Sequence, residues 1–392
     1  MAGPDPRLTS SADPGDAELA TWRSAAAGPV VAVVALLLAL VATRVAGVTF
    51  RDWEHAVAWR GTQMLCALAL LVALDIVVRA AARSRTLIPS WAAIRKVRRE
   101  RWTPRRLVAV FGAVVSFYVT YIAYRNVKSA VPLLRPGDLF DRQLTDLERG
   151  VFGGNDPAAL LHSLLGTGVS AEALALVYMA FFYFVMISLL LALVFFPIPK
   201  GGIFYVTALS INWALGAASY LMLPARGPIY ATPGTFADLP ATDVTHLQDV
   251  LLRQRTEFLR DPMAADAHQG IAAFGSLHTS IVFTAAVAAH MLGLGRALRI
   301  GLWALFGLTT IATVYWGWHY VVDDLAGVVI ALVALALARA LTGFEPQTVW
   351  RGIRSRPALK RRPAAAPPVH HLPAARPLEA PVAETASGSD AA

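Results

Sequence analysis

Eight apolar runs, each about 20 residues long, leave this 392-residue chain very few ways to fold. They lie near 28–50, 61–82, 107–127, 171–196, 203–224, 277–294, 299–317 and 321–342. In hydrocarbon each backbone N–H and C=O must be paired within its own segment, so runs of this length must be helices. The expected fold is an all-α integral membrane protein, with about eight transmembrane helices in a bundle. Charged residues make up 16% of the chain, against about 25% in soluble domains, which excludes an ordinary soluble class. Cys66, the only cysteine, lies inside the second run, so an intramolecular disulfide and a cysteine metal site are both excluded.

The net charge of +9 is unevenly distributed. Between the second and third runs stand Arg79, Arg83, Arg85, Arg95, Lys96, Arg98, Arg99, Arg101, Arg105 and Arg106 against one acid, Glu100. Arg296 and Arg299 separate runs six and seven, and Arg351, Arg354, Arg356, Lys360, Arg361 and Arg362 follow run eight. An even number of spans puts all three basic segments on one side, and the positive-inside rule makes that side cytoplasmic. Both termini are then cytoplasmic, and the charge sets orientation; no nucleic-acid partner is implied. The organisation expected is a polar amino-terminal tail (1–26), two spans with a basic cytoplasmic loop (27–106), a membrane domain (107–342, with a catalytic core near 203–342) and a basic tail (343–392). That tail is rich in Pro and Ala from 357 onward and reads as disordered.

With this orientation, residues 128–170, 225–276 and the joint between runs seven and eight face outward. His278 opens run six and His319 closes run seven, so two antiparallel helices bring both histidines to one depth at the membrane surface. His319 and Asp323 are four apart in "HYVVD", a spacing that stacks them on one helix face. A carboxylate on one imidazole nitrogen fixes the tautomer and makes the other a better nucleophile. The second histidine is then a general acid and base. Asp324 points about 100° away and is expected to complement the amino-terminal dipole of the last helix. No carboxylate cluster accompanies the histidines, so no metal and no cofactor are expected. Asp138, Asp141, Asp146 and Glu148 alternate with Arg135, Arg142 and Arg149, a pattern expected of a salt-bridged helix surface.

"GSLHTS" followed by "GWHYVVDDLAG" resembles the second and third motifs of the type 2 phosphatidic acid phosphatase superfamily, P-S-G-H and S-R-x5-H-x3-D. The likeness runs from about 105 to 340 and is strongest to the branch that includes the fungal inositol phosphorylceramide synthases and their bacterial relatives. The resemblance implies that His319 is a nucleophile phosphorylated in passing and that Asp323 orients it. It further implies that His278 protonates the leaving alkoxide and later activates the acceptor hydroxyl, while Ser276 binds phosphate oxygens. Two departures stand out. Thr313 occupies the position of the third-motif arginine, and Gly275 and Leu277 replace the proline and glycine of the second motif.

Another cation must therefore hold the phosphate. The family's first motif, K-x6-R-P, is matched in spacing by Lys128 and Arg135 in "KSAVPLLRP", at the outer end of run three. By order along the chain, however, its place belongs to Arg226 in "LPARGPIY", at the outer end of run five. Both assignments stay open, since two or three cations serve one phosphate. Thr242–Asp261 reads as an amphipathic helix at the interface, with a covering lid as the alternative. His246 and His268 read as solvated loop residues, and Trp316 and Trp318 as members of an aromatic belt. The function implied is transfer of a phosphoryl or phospho-headgroup from a lipid phosphate or phospholipid at the outer leaflet of a bacterial plasma membrane. The acceptor is a small alcohol or a lipid. The alternatives are a lipid phosphate phosphatase, and a non-catalytic lipid-binding or transport protein on the same scaffold.

Overall fold

A computed structural model describes residues 14–52, 59–196 and 199–346. Among these, every regular element is a helix: α1 (Pro14–Val45), α2 (Trp59–Ser84), α3 (Trp91–Arg101), α4 (Pro104–Leu134), α5 (Asp141–Val151), α6 (Pro157–Leu165), α7 (Val169–Phe195), α8 (Pro199–Met222), α9 (Pro228–Ala231), α10 (Asp243–Arg260), α11 (Leu277–Met291), α12 (Arg296–Tyr315) and α13 (Val321–Thr342). Seven described helices (α1, α2, α4, α7, α8, α12 and α13) are long and apolar enough to cross a membrane. The protein is thus an all-α, multi-pass membrane bundle. The expected polar segment 1–26 is helical from Pro14 onward. The expected tail lies outside the described residues from 347.

The sixth expected span, α11, has only 15 residues, or about 22 Å at 1.5 Å per residue. It ends early because Leu292 caps it and Gly293 then takes φ +65°, the left-handed turn that stops a helix. At its other end the chain is irregular from Pro262 to Ser276. That irregular stretch carries backbone to the depth of His319.

The core is built around α8, which packs against α1, α4, α7, α11 and α13. Its most apolar window is 83% buried, whereas that of α2 is 17% buried and faces outward. Small and hydroxylated residues such as Gly202, Ala208, Ser210 and Gly216 let neighbouring backbones approach α8 closely. Asn212 then ties α8 to α11: its amide donates to Thr284 Oγ1 at 3.0 Å and its carbonyl accepts from Ser280. Lipid-facing apolar side chains are left on the outer helices, among them Leu38, Val41 and Leu70.

The two ends of the bundle differ in chemistry. At one end, buried Asp75 of α2 accepts from Arg79 Nε (2.7 Å), Arg101 Nε (2.7 Å) and Trp102 Nε1 (3.0 Å). Arg101 and Arg106 also donate to Val194 O, where α7 presents unpaired carbonyls. Asp75 and Arg79 are four apart on α2, so the two side chains meet on one helix face. The contacts to Arg101 and Trp102 fasten the basic loop to the bundle. Replacing Asp75 with Ala leaves Arg101 largely buried and uncompensated. A loss of about 3 kcal/mol is expected, read as a lower unfolding midpoint in detergent.

Candidate active site

The opposite end gathers the carboxyl ends of α4, α8 and α12 with the amino ends of α7, α11 and α13. α12 stops at Tyr315, and Trp316–Tyr320 form a tight turn before α13. His319 lies in that turn and is 4% exposed. The turn is held by Asp323, whose Oδ2 accepts the Tyr320 N–H at 2.9 Å and caps α13. His319 Nδ1 lies 2.8 Å from the Ala273 carbonyl and 3.5 Å from Asp323 Oδ2. A carbonyl can only accept, so Nδ1 carries the proton and Nε2 keeps the lone pair. The main orienting partner is therefore a backbone carbonyl of the irregular stretch before α11, with the Asp323 carboxylate behind it.

That stretch also positions the second histidine. Ser276 N donates to the Asp323 carbonyl at 2.9 Å, and Ala273 N donates to Ala225 O at 2.9 Å. Gly327, one turn into α13, allows this approach; a Cβ there would meet Ser276 O at 2.4 Å. The result places the His278 and His319 rings with centroids 5.7 Å apart. Neither nitrogen of His278 has a hydrogen-bond partner among the described residues. Its ring instead stacks on Tyr178 (4.6 Å), which in turn stacks on Trp318 (5.3 Å, 3° between planes). Three layered rings fix the orientation of His278 while leaving its nitrogens for a ligand. Trp316 is fully buried and Trp318 is 8% exposed, which corrects the expectation that these tryptophans lie in an interfacial belt.

Both histidines line a cavity of about 470 Å³. Lys128, Arg226, Arg60 and Arg125 line it as well, and no carboxylate does. Lys128 Nζ stands over the rings of Tyr220 (5.3 Å) and Tyr124 (5.7 Å), within cation–π range. Of the two rival assignments for the phosphate cation, Lys128 and Arg226 both reach the cavity of the histidines. Arg135 does not: it donates to Asp138 Oδ2 (2.8 Å) and to Leu221 O (2.7 Å) beside a separate, smaller cavity. Ser276 is fully buried as the amino-terminal cap of α11, accepting from Thr279 N, and it does not line the cavity. Arg60 and Arg125 were missed in the sequence. Their signal was position: each is a cation at a span end that the positive-inside pattern assigns to the outer face.

The vacant arginine position is occupied productively. Thr313 Oγ1 lies 3.2 Å from Asp324 Oδ2, and Thr279 Oγ1 donates to Asp324 Oδ1 at 2.6 Å. Asp324 is 4% exposed and stands in the first turn of α13, as expected of a helix-dipole partner, while its contacts also join α11 and α12. A buried carboxylate needs donors, and the two threonines supply them.

The acids of α5 also differ from expectation. Arg135–Asp138 and Arg142–Asp146 are surface pairs, but Asp141 and Glu148 are buried. Asp141 accepts Arg226 N (2.9 Å), Gly227 N (2.9 Å) and the Tyr320 hydroxyl (3.2 Å). Glu148 accepts from Val321 N at the start of α13. These short polar contacts dock the Arg226 loop on the turn that carries His319. Gly227 is required in that docking, since it has φ +102° and a Cβ would lie 2.6 Å from Trp318 O. Above the cavity, α10 turns Leu247, Val250, Leu251 and Gln254 inward, so the amphipathic helix covers the site. His268 lines the same cavity rather than open solvent, with Nδ1 2.8 Å from Asp266 O. Among the described residues no group of three His, Cys, Asp or Glu is arranged to hold a metal ion.

Two outcomes follow. Gly327→Ala pushes Ser276 and His278 away from His319, so kcat is expected to fall by about 10²-fold, as a misplacement of about 1 Å can cause, with the fold retained by circular dichroism. Burial pushes the Glu148 carboxyl up from the ordinary 4.5 to about 7. The folded state then binds this proton more tightly than the unfolded state, so stability contributed here falls as pH rises from about 4.5 to about 7. Glu148→Gln is expected to flatten that fall in unfolding midpoints measured across the window in detergent.

Searches of curated proteins and of solved structures return no match to this chain. The PAP2 superfamily matches residues 142–337. That range holds nearly all of α5 through most of α13, and so contains both histidines, Asp323, Arg226 and Glu148, while Asp141 stands one residue before it. The match spans half of the chain, which belongs to the PAP2 superfamily.

Proposed function

We propose that this protein moves a phosphoryl or phospho-headgroup from a lipid to an alcohol through a phosphohistidine on His319, in the manner of the inositol phosphorylceramide synthase-like branch. Membership of the PAP2 superfamily supports a phosphatase- or phosphotransferase-type activity on lipids. The observation that carries the finer reading is the pair of histidines, 5.7 Å apart, at the head of a cavity that is cationic above and apolar below. Along α4 the lining runs from Lys128 to Phe117, 11 residues or about 16 Å, with Val185 and Met186 of α7 opposite. Phosphate fits at the cations and an alkyl chain fits below.

Nε2 of His319 attacks phosphorus, the bond from phosphorus to the leaving oxygen breaks, and His278 gives that oxygen its proton. The phosphoimidazolium keeps its Nδ1 proton on the Ala273 carbonyl, with the Asp323 carboxylate 3.5 Å away to stabilise the charge. An acceptor hydroxyl then loses its proton to His278 as its oxygen displaces His319 from phosphorus. Lys128 and Arg226 hold the non-bridging oxygens throughout. The basic α3 loop at the opposite end supports an extracytoplasmic site in a bacterial plasma membrane.

Hydrolysis is the second reading, with water as acceptor. It is favoured by the four cations around the cavity, enough for a dianionic phosphomonoester. The deciding experiment gives purified wild type and variants, in detergent with EDTA, a panel of lipid phosphates and phosphoinositides. Alcohol acceptors are added or omitted, and products are resolved by mass spectrometry. His319→Ala is expected to lower turnover by a factor on the order of 10⁴ and to abolish acid-labile phosphoprotein. Asp323→Asn is expected to cost only about 10–100-fold, because the Ala273 carbonyl still holds the tautomer. Equal turnover by wild type and His319→Ala would overturn the nucleophile, and silence from both across the panel would favour a non-catalytic lipid-binding scaffold.

A further inference from the structure

Beside the catalytic cavity lies a second one of about 250 Å³. Arg135, Arg226 and Arg255 line it, contributed by the end of α4, the loop after α8 and α10, and none of its lining residues is a carboxylate. Arg226, Ile271 and Ala272 line both cavities, so the two share a wall and one guanidinium. Neutralisation inside this cluster is incomplete. Arg135 has Asp138, but Arg255 Nη1 has only the Gln269 amide oxygen at 3.3 Å. Arg226 Nε is buried without a hydrogen-bond partner, its nearest carboxylate oxygen being Asp141 Oδ2 at 3.8 Å. Burial, and then the Arg226 charge, hold the Arg255 guanidinium below its ordinary pKa. Like charges left facing each other in a half-buried cavity store repulsion that an anion would relieve.

The geometry points to a second anion subsite in this smaller cavity, taking a phosphate additional to the one that reacts at His319. It rests on the phosphotransfer reading for its use, though not for its existence. The additional phosphate is carried either by the donor, as a lipid diphosphate, or by a phosphorylated polyol acceptor. In both cases Arg226 bridges the two anions, and Arg135 and Arg255 give selectivity for the doubly charged partner.

The subsite is tested first by binding, which does not depend on turnover. Inorganic phosphate is titrated calorimetrically into the full chain in detergent, as wild type, His319→Ala, Arg255→Gln and Arg255→Lys. Two phosphate sites are expected in wild type, His319→Ala and Arg255→Lys, and one in Arg255→Gln. The same stoichiometry in wild type and Arg255→Gln would overturn the subsite, and the lysine variant separates lost charge from lost fold. If His319→Ala keeps two phosphate sites while the phosphohistidine experiment fails, only the reaction assignment falls. Two kinetic arms then separate the sources. Arg255→Gln is expected to raise KM about tenfold more for a lipid diphosphate than for the monophosphate if the donor carries the group. The same differential appears between phosphorylated and neutral polyol acceptors if the acceptor does. No differential in either arm overturns the assigned use.

Discussion

Asp323 is the residue on which the rest of the site depends. Its main-chain carbonyl takes the Ser276 N–H, which sets the start of α11 and therefore His278. One carboxylate oxygen caps α13 through Tyr320 N and faces His319 Nδ1 at 3.5 Å. Its other oxygen is buried without a partner, a cost that a purely structural cap would not need. Under the proposed reaction, a cationic phosphoimidazolium on His319 would offset that cost. The same residue thus closes the backbone and prepares the charge.

Around it, buried polar groups do the work that loops do in soluble enzymes. Asp324 with Thr279 and Thr313, Asn212 with Ser280 and Thr284, and Asp141 with Arg226 N and Gly227 N each join segments distant in sequence. In an apolar surround an unpaired polar group is expensive, so each such contact has few alternatives and selects one arrangement of helix ends. The loss of the third-motif arginine is consistent with this economy: at position 313 a hydroxyl completes the Asp324 cluster, and cations from α2, α4 and the Arg226 loop reach the cavity instead.

The covering helix α10 links both cavities to the same frame. Its apolar face lines the cavity of the histidines, while Arg255 on the same helix enters the adjoining arginine cluster. The Gln248 amide donates to Trp316 O, next to the turn that carries His319. Movement of α10 would therefore alter both cavities and the turn together.

Much of this was legible in the chain. Runs of about 20 apolar residues admit only helices, and the expected span limits agree with the helices to within a few residues, apart from the earlier start and end of α1, the early end of α11 and the longer α4. The His319/Asp323 spacing and the GSLHTS segment named the paired histidines, because short-range spacing survives in any helical fold. Long-range partners were not legible. Asp141 and Glu148 looked like surface acids because charge alternation alone cannot show that α5 tucks its carboxylates against backbone N–H groups 85 and 173 residues away. Trp316 and Trp318 looked interfacial because the sequence cannot show what covers them. The choice among Lys128, Arg135 and Arg226 was undecidable for the same reason: all three stand at span ends, and only the packing of α4 against α8 decides which guanidinium or ammonium faces the histidines. By itself the sequence determined the helices and singled out the two histidines, since these follow from local hydropathy and spacing. Which polar groups meet, and hence the cavity and its charge, was decided by tertiary structure, because those contacts depend on how helix ends converge in three dimensions.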